Sequence, residues 1–239
     1  MKPFLSAAFT AAIALLACLP TQAQQNAVTF EKKQTGTDKL NYLLSLPEGY
    51  KNDSTKKWPL VVFLHGSGER GSDLEKVKLH GPPMLVENGK KFPFILISPQ
   101  CPDDSWWSYE PLTELIEDAE TRYQVDPKRI ILTGLSMGGY GTWELGCRHP
   151  EKFAALVPLC GGGIPYMAPK VKDTPVWVFH GTKDGGVPIV ESQRMVDALK
   201  KSGSTKVEFT IYPEAGHNCW TEAYNTEALY QWMLEQKLP

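Results

Sequence analysis

Runs of apolar residues recur along the chain, with spacers of helical length between most of them. Two alternating runs, at residues 28–33 and 40–46, are typical of an opening β-hairpin. The six later runs are nearly continuous and rich in Val and Ile, as expected for strands that are buried on both faces. They cover residues 60–64, 94–97, 130–132, 154–159, 176–179 and 207–212. The pattern therefore predicts a mostly parallel sheet of eight strands.

The spacers between the apolar runs predict four helices, at residues 111–123, 137–148, 188–201 and 221–236. In the third segment apolar positions recur at amphipathic spacing, and Gly203 ends the helix. Helices alternating with buried strands are typical of the α/β class, with helices on the faces of the sheet. No repeat, low-complexity tract or linker divides the segment, so we expect one domain after the N-terminal leader.

The N-terminal residues have the pattern of a secretory signal. Lys2 precedes an apolar run that ends near Leu19, and the small residues around Ala23 suit a cleavage site. We interpret residues 1–23 as a signal peptide and residues 24–239 as the catalytic domain. The alternative interpretation takes the segment ending at Cys18 as a lipobox, in which a lipidated Cys18 would anchor the protein to a membrane. A membrane partner is expected only in that case.

The composition and charge of the chain limit the classes of function that it can have. The chain is 42% hydrophobic, and its formal net charge is −2. These values indicate a globular protein, and nucleic acid is an unsuitable partner because no basic stripe is present. Of five cysteines, Cys18 lies in the predicted signal, so an even set remains in the domain. Disulfides are compatible with export, but the sequence leaves their pairing open.

A nucleophile motif follows the fifth apolar run. Gly134-Leu135-Ser136-Met137-Gly138 is a G-x-S-x-G turn between a strand and a helix, which is the context that this motif requires. The flanking glycines leave room for a sharp backbone turn that exposes the Ser136 hydroxyl. The Met137 N–H lies at the helix N-terminus, where it can donate to a developing oxyanion. These features predict Ser136 as nucleophile and Met137 as one oxyanion donor.

The base and acid follow from chain order, because hydrolases of this architecture place Ser first, then Asp or Glu, then His. His217 is the only histidine after Asp184, in a Gly-containing loop after the last strand. Asp184 follows the preceding strand, where a turn or N-cap role is the alternative for an aspartate beside glycines. The rival carboxylates are less suitable: Glu214 is too close to His217 along the chain, and Asp173 precedes its strand.

A second oxyanion donor is expected in the Gly-rich loop after the third apolar run. His65-Gly66-Ser67-Gly68 contains the small residues that let a backbone N–H approach a substrate. The Ser67 N–H is the predicted donor, with that of Gly68 second. His65 is expected to hydrogen-bond to neighbouring backbone, because no clustered Cys/His spacing indicates a metal site. Glu69 and Arg70 could pair with each other or clamp the loop.

With these motifs in place, the sequence resembles the α/β-hydrolase esterases that include feruloyl esterases, acetyl xylan esterases and poly(3-hydroxybutyrate) depolymerase-like proteins. The matching phrases extend over most of the segment after the leader, at residues 64–71, 98–102, 126–130, 134–143, 180–184 and 216–220. The resemblance implies Ser136, Asp184 and His217 as the catalytic triad, in agreement with the assignment from the residues. Prolyl oligopeptidase catalytic domains share many of the same phrases.

Two features bear on the substrate. Residues 161–174, between the sixth and seventh runs, leave too little chain for a helical lid. An open cleft favours bulky or polymeric substrates. Trp106 and Trp107 follow the fourth run, on the loop side that the catalytic loops share, and Trp220 lies three positions after His217. Each could present a flat surface to a sugar or phenolic acid, and each could equally be a packing residue.

The sequence therefore predicts an exported serine esterase that removes feruloyl or acetyl groups from plant polysaccharide, without a metal or another cofactor. Ester-bearing small molecules or polysaccharides are the expected partners, and the oligomeric state is left open. Two alternatives remain at this point. One is a serine peptidase of the prolyl oligopeptidase type, and the other is a non-catalytic carbohydrate-binding protein on a hydrolase fold.

Overall fold

A computed structural model describes residues 23–31 and 39–239, so the predicted signal through residue 22, with Cys18, lies outside the described residues. The described residues form eight strands: β1 Gln25–Glu31, β2 Lys39–Ser45, β3 Trp58–Leu64, β4 Ile95–Pro99, β5 Val125–Leu135, β6 Ala155–Leu159, β7 Val176–Gly181 and β8 Val207–Tyr212. The helices are α1 Gly81–Glu87, α2 Tyr109–Arg122, α3 Met137–Arg148, α4 Val190–Lys201, α5 Trp220–Tyr224 and α6 Glu227–Glu235. Short 3₁₀ segments occupy Ser67–Glu69, Leu74–Leu79, Pro150–Lys152 and Pro165–Val171.

The strands form one sheet in the order β1-β2-β4-β3-β5-β6-β7-β8. β1 pairs with β2, and β2 with β4, in antiparallel fashion, whereas every later pair is parallel. This is the α/β-hydrolase arrangement, and it confirms the predicted fold class. The two antiparallel strands lie at one edge of the sheet, where they form the opening hairpin that their alternating pattern predicts.

Helices cover both faces of the sheet, which explains why β3 to β7 are apolar along most of their length. On one face α2, α3 and α4 contribute buried side chains such as Leu115, Trp143 and Met195. On the other face α1, α5 and α6 contribute Val86 and Tyr224, among others. Each helix thus buries one apolar stripe against the sheet, and both faces of the central strands are covered.

Two helical segments differ from the sequence prediction. The prediction of one helix at residues 221–236 is wrong, because α5 ends before Asn225 and α6 starts after Thr226. Asn225 donates from its side chain to the Thr221 carbonyl, while Thr226 adopts an extended backbone and precedes α6 as its N-cap residue. Helix α1, which the pattern does not predict, carries two prolines in its first turn, where a missing N–H costs no intrahelical bond.

The carboxyl ends of the parallel strands meet at one edge of the sheet, and ligand sites of such sheets lie there. The loops after β3, β4, β5, β6, β7 and β8 all leave from this edge, so they bring together residues as distant in the chain as His65 and His217. Within the described ranges, no helix is long and apolar enough to cross a bilayer.

Candidate active site

Ser136 sits between β5 and α3 with a strained backbone. Its φ of 54° and ψ of −118° lie outside the region that L-residues prefer, at a cost of roughly 1–3 kcal/mol. The conformation is held from both sides, because the Ser136 N–H donates to the Leu159 carbonyl at 3.0 Å and the Ser136 carbonyl accepts from Tyr140 N at 3.1 Å. A hydroxyl on such a turn projects from the edge of the sheet instead of into it.

The structure brings Ser136, His217 and Asp184 together in one hydrogen-bonded series. His217 Nε2 lies 2.8 Å from Ser136 Oγ, and His217 Nδ1 lies 2.8 Å from Asp184 Oδ2. The Asp184 side chain is fully buried, and its Oδ1 accepts N–H groups from Gly186 and Val187 at 2.8 Å each. These bonds hold the carboxylate in place and aim it at the imidazole, which can then take a proton from the serine hydroxyl.

The two predicted oxyanion donors lie on neighbouring elements. Met137 is the first residue of α3, and Ser67 is the first residue of the 3₁₀ segment after β3. Neither N–H has a carbonyl acceptor within its own helix at that position, so both remain available to a ligand. The loops abut closely, since a Cβ added to Gly66 would lie 3.6 Å from the Ser136 Cβ. This arrangement can stabilise negative charge on a substrate oxygen next to Ser136.

His65 supports the loop that carries Ser67. Its buried ring donates from Nδ1 to the Gly66 carbonyl at 2.6 Å and accepts the Cys101 N–H on Nε2 at 2.9 Å. The ring thereby ties the loop after β3 to the loop after β4. The expectation that His65 bonds to neighbouring backbone agrees with these contacts.

Burial lowers the pKa of His65 to about 4, from an ordinary value of about 6.5. Between these values the unfolded chain binds a proton that the folded protein excludes, so stability falls as pH falls through this window, by up to about 3 kcal/mol. Urea unfolding at several pH values should show this loss in the wild type, and His65→Gln should flatten the pH dependence. The matched control is His149→Gln, at a partly exposed histidine, which should keep the pH dependence of the wild type. If the free energy of unfolding depended on pH equally in His65→Gln and the wild type, His65 would not be the source of the loss.

Arg70 clamps the same loop from outside. Its Nε donates to the Ser67 carbonyl at 3.0 Å, and its Nη1 donates to the Ser105 carbonyl at 2.9 Å. The guanidinium thus joins the loop after β3 to the loop after β4. The sequence left open whether Arg70 pairs with Glu69 or clamps the loop, and in the structure it clamps the loop.

Loss of the clamp should weaken transition-state stabilisation more than substrate binding. We expect Arg70→Ala to lower kcat by about 10- to 100-fold with a small change in KM, because the Ser67 N–H is no longer held in place. Steady-state kinetics on a chromogenic ester measure this split. The control is Lys76→Ala, which removes an exposed donor to the Arg70 carbonyl and should leave kcat within about twofold. A rise in KM alone for Arg70→Ala would contradict the clamp.

The three tryptophans that the sequence singles out have different environments. Trp106 is 52% exposed and packs edge-on against Tyr140. Trp107 is 5% exposed, and its indole N–H donates to the His65 carbonyl at 3.0 Å. Its interpretation as a substrate-binding residue disagrees with this burial, and Trp107 instead supports the His65 loop. Trp220 is half-buried and contacts the His217 ring edge-on, with centroids 5.2 Å apart.

Four cysteines lie in the described part of the chain, and all are buried free thiols: Cys101, Cys147, Cys160 and Cys219. Burial raises the pKa of Cys101 to about 11 and that of Cys147 to about 12, which makes both poor nucleophiles at neutral pH. Among the described residues, Cys160, Asp184 and His217 bring three potential metal-ligand atoms within 4.8 Å of one another. The Asp184 and His217 atoms of this group are already used in the hydrogen bonds of the series.

An apolar pocket of about 230 Å³ opens beside the nucleophile's helix. Trp106, Tyr140, Ile164 and Met167 contribute walls, and Tyr140 lies one helical turn beyond Ser136. Tyr140 was not among the predicted site residues, although its position four residues after the nucleophile puts it on the helix face of Ser136. No motif in the sequence gives a role to His180, whose Nε2 lies 3.1 Å from Asp184 Oδ2.

Comparison with known proteins agrees with this geometry. A family model described as Phospholipase/Carboxylesterase matches residues 107–227. A probable feruloyl esterase C of Aspergillus terreus is 28% identical over 180 residues, covering 73% of this chain, and a bifunctional acetylxylan esterase/xylanase of Neocallimastix patriciarum is 25% identical over 137 residues, covering 53%. A crystal structure of a thermostable esterase superposes with a TM-score of 0.77 at 34% identity, over 90% of this chain.

The matched region is only part of each of these proteins. It spans 66% of the Aspergillus protein, 19% of the Neocallimastix protein and 63% of the thermostable esterase chain. A ferulic acid esterase structure, at 21% identity and a TM-score of 0.67, shares the fold.

Proposed function

Because the chain belongs to the phospholipase/carboxylesterase family, we propose that it is a serine esterase that hydrolyses carboxylic esters through an acyl-enzyme on Ser136. The observation that carries the proposal is the series Ser136–His217–Asp184, with 2.8 Å at both of its hydrogen bonds, on a strained turn at the sheet edge. A strained nucleophile whose base is held by a buried acid is built for acyl transfer.

Each group has one role in the proposed reaction. His217 removes the proton from Ser136 as its oxygen attacks the ester carbonyl, and the Met137 and Ser67 N–H groups stabilise the resulting oxyanion. His217 then gives its proton to the leaving alcohol, which leaves an ester between the acyl group and Ser136. Water repeats the sequence in the second half, with His217 again as base, and releases the acid. Asp184 holds the imidazole and stabilises its protonated form.

The pocket beside α3 favours an ester that carries an aromatic group. A helical turn rises about 5.4 Å, so a two-carbon acetyl group held at Ser136 does not fill a pocket whose near wall is Tyr140. A phenolic ring can reach it and pack against Tyr140 and Trp106. The relatives include proteins named feruloyl esterase and acetylxylan esterase. Of these two ester types on plant polysaccharide, the pocket favours the feruloyl type as the substrate. The apolar leader supports export as the route to such a substrate.

A panel of substrates tests this proposal. The purified protein should hydrolyse methyl ferulate with a higher kcat/KM than a chromogenic acetate. Tyr140→Ala and Trp106→Ala should each lower kcat/KM for the ferulate by about tenfold and change that for the acetate less. The matched control is Tyr166→Ala, which removes an almost fully exposed ring from the neighbouring segment Pro165–Val171.

Two experimental results would assign a different function to the protein. Cleavage of prolyl or dipeptidyl amides in preference to esters would make the protein a peptidase. Failure to react with a fluorophosphonate probe, together with binding to polysaccharide, would make it a carbohydrate-binding protein. A preference for the acetate would keep the esterase and overturn the aromatic substrate.

A further inference from the structure

His180 is a buried histidine that the proposed reaction does not use. It lies near the end of β7, its side chain is fully buried, and both of its ring nitrogens have short contacts. Nε2 is hydrogen-bonded to the Val187 carbonyl at 2.9 Å and lies 3.1 Å from Asp184 Oδ2, the oxygen that accepts from His217. Because a carbonyl and a carboxylate can only accept, Nε2 must carry a hydrogen.

The other ring nitrogen leads to a second buried contact. His180 Nδ1 lies 2.7 Å from Ser192 Oγ on α4, and the Ser192 hydroxyl lies 2.7 Å from the Gly161 carbonyl after β6. A carbonyl accepts, so the single hydroxyl hydrogen belongs in the bond to Gly161. Ser192 Oγ must then accept from Nδ1. The alternative, with the hydroxyl donating to Nδ1, leaves two oxygens 2.7 Å apart without a hydrogen between them.

Counting hydrogens decides between the two protonation states of the ring. The three buried contacts, at Nε2, at Nδ1 and at the Gly161 carbonyl, require three hydrogens. A neutral imidazole and one hydroxyl supply two, whereas an imidazolium and one hydroxyl supply three. We infer that His180 is an imidazolium that pairs with the buried Asp184 of the triad. It acts as a positioning residue, and its charge keeps His217 in the unprotonated form down to a lower pH.

The electrostatic consequence depends on the proposed triad and follows from the shared oxygen. A cation 3.1 Å from Asp184 Oδ2 neutralises part of the charge that would otherwise stabilise protonated His217, and it also repels that second cation. His217 therefore loses its proton at lower pH than it would beside an isolated carboxylate. Because the base acts in its neutral form, the enzyme stays active in more acidic solution.

Other titratable groups face the same carboxylate. Cys160 at the end of β6 and Tyr140 on α3 interact with Asp184, and burial raises the pKa of both, so they are neutral at the pH values concerned. Cys219 packs against Cys160, and Glu191 on α4 faces Tyr140. All four groups are retained in the variants below, so a change in the pH profile reports on His180.

The first test is the pH dependence of kcat/KM. His180→Gln keeps an amide donor for the Val187 carbonyl but removes the charge, and we expect the acid limb of the profile to move up by about one pH unit. Ser192→Ala removes the acceptor of Nδ1–H and should move the limb in the same direction by less. Tyr42→Phe is the matched control, because it loses a partly buried hydrogen bond between β2 and Tyr123 at the end of α2, and β4 and β3 separate β2 from the strand that leads to Ser136. Tyr42→Phe should lower the free energy of unfolding without moving the acid limb of the kcat/KM profile.

An acid limb that stays within about 0.2 pH unit of the wild type in His180→Gln, with kcat lowered, would reduce His180 to a packing role and overturn the inference. The second test does not need the variant to fold. In protein labelled with ¹⁵N-histidine, NMR should find hydrogen on both ring nitrogens of His180 at pH 7.5. A single N–H would overturn the charged state.

The His180 signal is identified with His180→Gln, or by elimination with variants of the four other histidines when that protein does not fold. The NMR result also separates this inference from the proposed function. A protein that hydrolyses no ester yet shows a doubly protonated His180 refutes the esterase and the positioning role while it supports the buried ion pair. An active esterase with a neutral His180 supports the proposed function and refutes the buried ion pair.

Discussion

Replacing Ser136 by alanine is expected to lower kcat for ester hydrolysis by at least about 10⁴-fold, because no acyl-enzyme can form and only the oxyanion donors remain. The fold should be unaffected, since the partly buried hydroxyl contacts His217 and the backbone of the turn is retained. Steady-state hydrolysis of a chromogenic ester measures the loss, and circular dichroism checks the fold. The variant should also fail to react with a fluorophosphonate probe.

Ser54→Ala is a suitable control, because it removes an exposed hydroxyl from the turn before β3 and should leave kcat and labelling unchanged. If Ser136→Ala kept more than a few per cent of the activity, the nucleophile would have to be another residue. Comparable losses in Ser136→Ala and His217→Ala, together with a loss in the double variant no larger than either, would indicate that the two residues act as a unit.

A single methyl group on Gly138 is expected to prevent folding or to lower the free energy of unfolding by more than about 3 kcal/mol. A Cβ there would lie 1.9 Å from the Leu64 carbonyl oxygen and 2.8 Å from that of His65. Both atoms are backbone, so α3 would have to move away from β3. Helix propensity alone predicts the opposite sign, since alanine in a helix interior is better than glycine by roughly 0.5–1 kcal/mol.

Urea unfolding of Gly138→Ala, followed by circular dichroism, measures the effect. Gly185→Ala is the matched control, because a Cβ on Gly185 would meet no atom within 4 Å and the stability should change by less than about 0.5 kcal/mol. A Gly138→Ala protein as stable as the wild type would mean that α3 and β3 are farther apart than the structure has them. The same shift would then also separate Met137 from Ser67.

Much of the fold is readable from the chain because its signals are local. Continuous apolar runs predict β3 to β8, and the G-x-S-x-G turn identifies the junction of β5 with α3, whose helix occupies the predicted residues 137–148. By contrast, the break between α5 and α6 was missed, because the apolar pattern continues across Asn225 and Thr226. There a side-chain hydrogen bond to the preceding turn ends the helix.

Chain order and strand ends are sufficient to select Ser136, Asp184 and His217, since the carboxyl ends of parallel strands meet at one edge. Adjacent tryptophans show where such reasoning stops. Trp106 and Trp107 have the same local context, but one is half exposed at the pocket and the other is buried against His65. Burial depends on which loop packs against each ring, and no short-range pattern encodes that.

The sequence by itself determined the class of fold and the three residues that meet at the edge of the sheet, because strand periodicity, the Gly-flanked serine and the order of the chain are each carried by neighbouring residues. Only the tertiary structure decided what surrounds them: the pocket beside Tyr140, the Arg70 clamp and the contacts of His180 with Asp184 and Ser192. These depend on loops that leave different strands and meet only when the sheet is complete, so the charge and position of each group follow from packing and not from its neighbours in the chain.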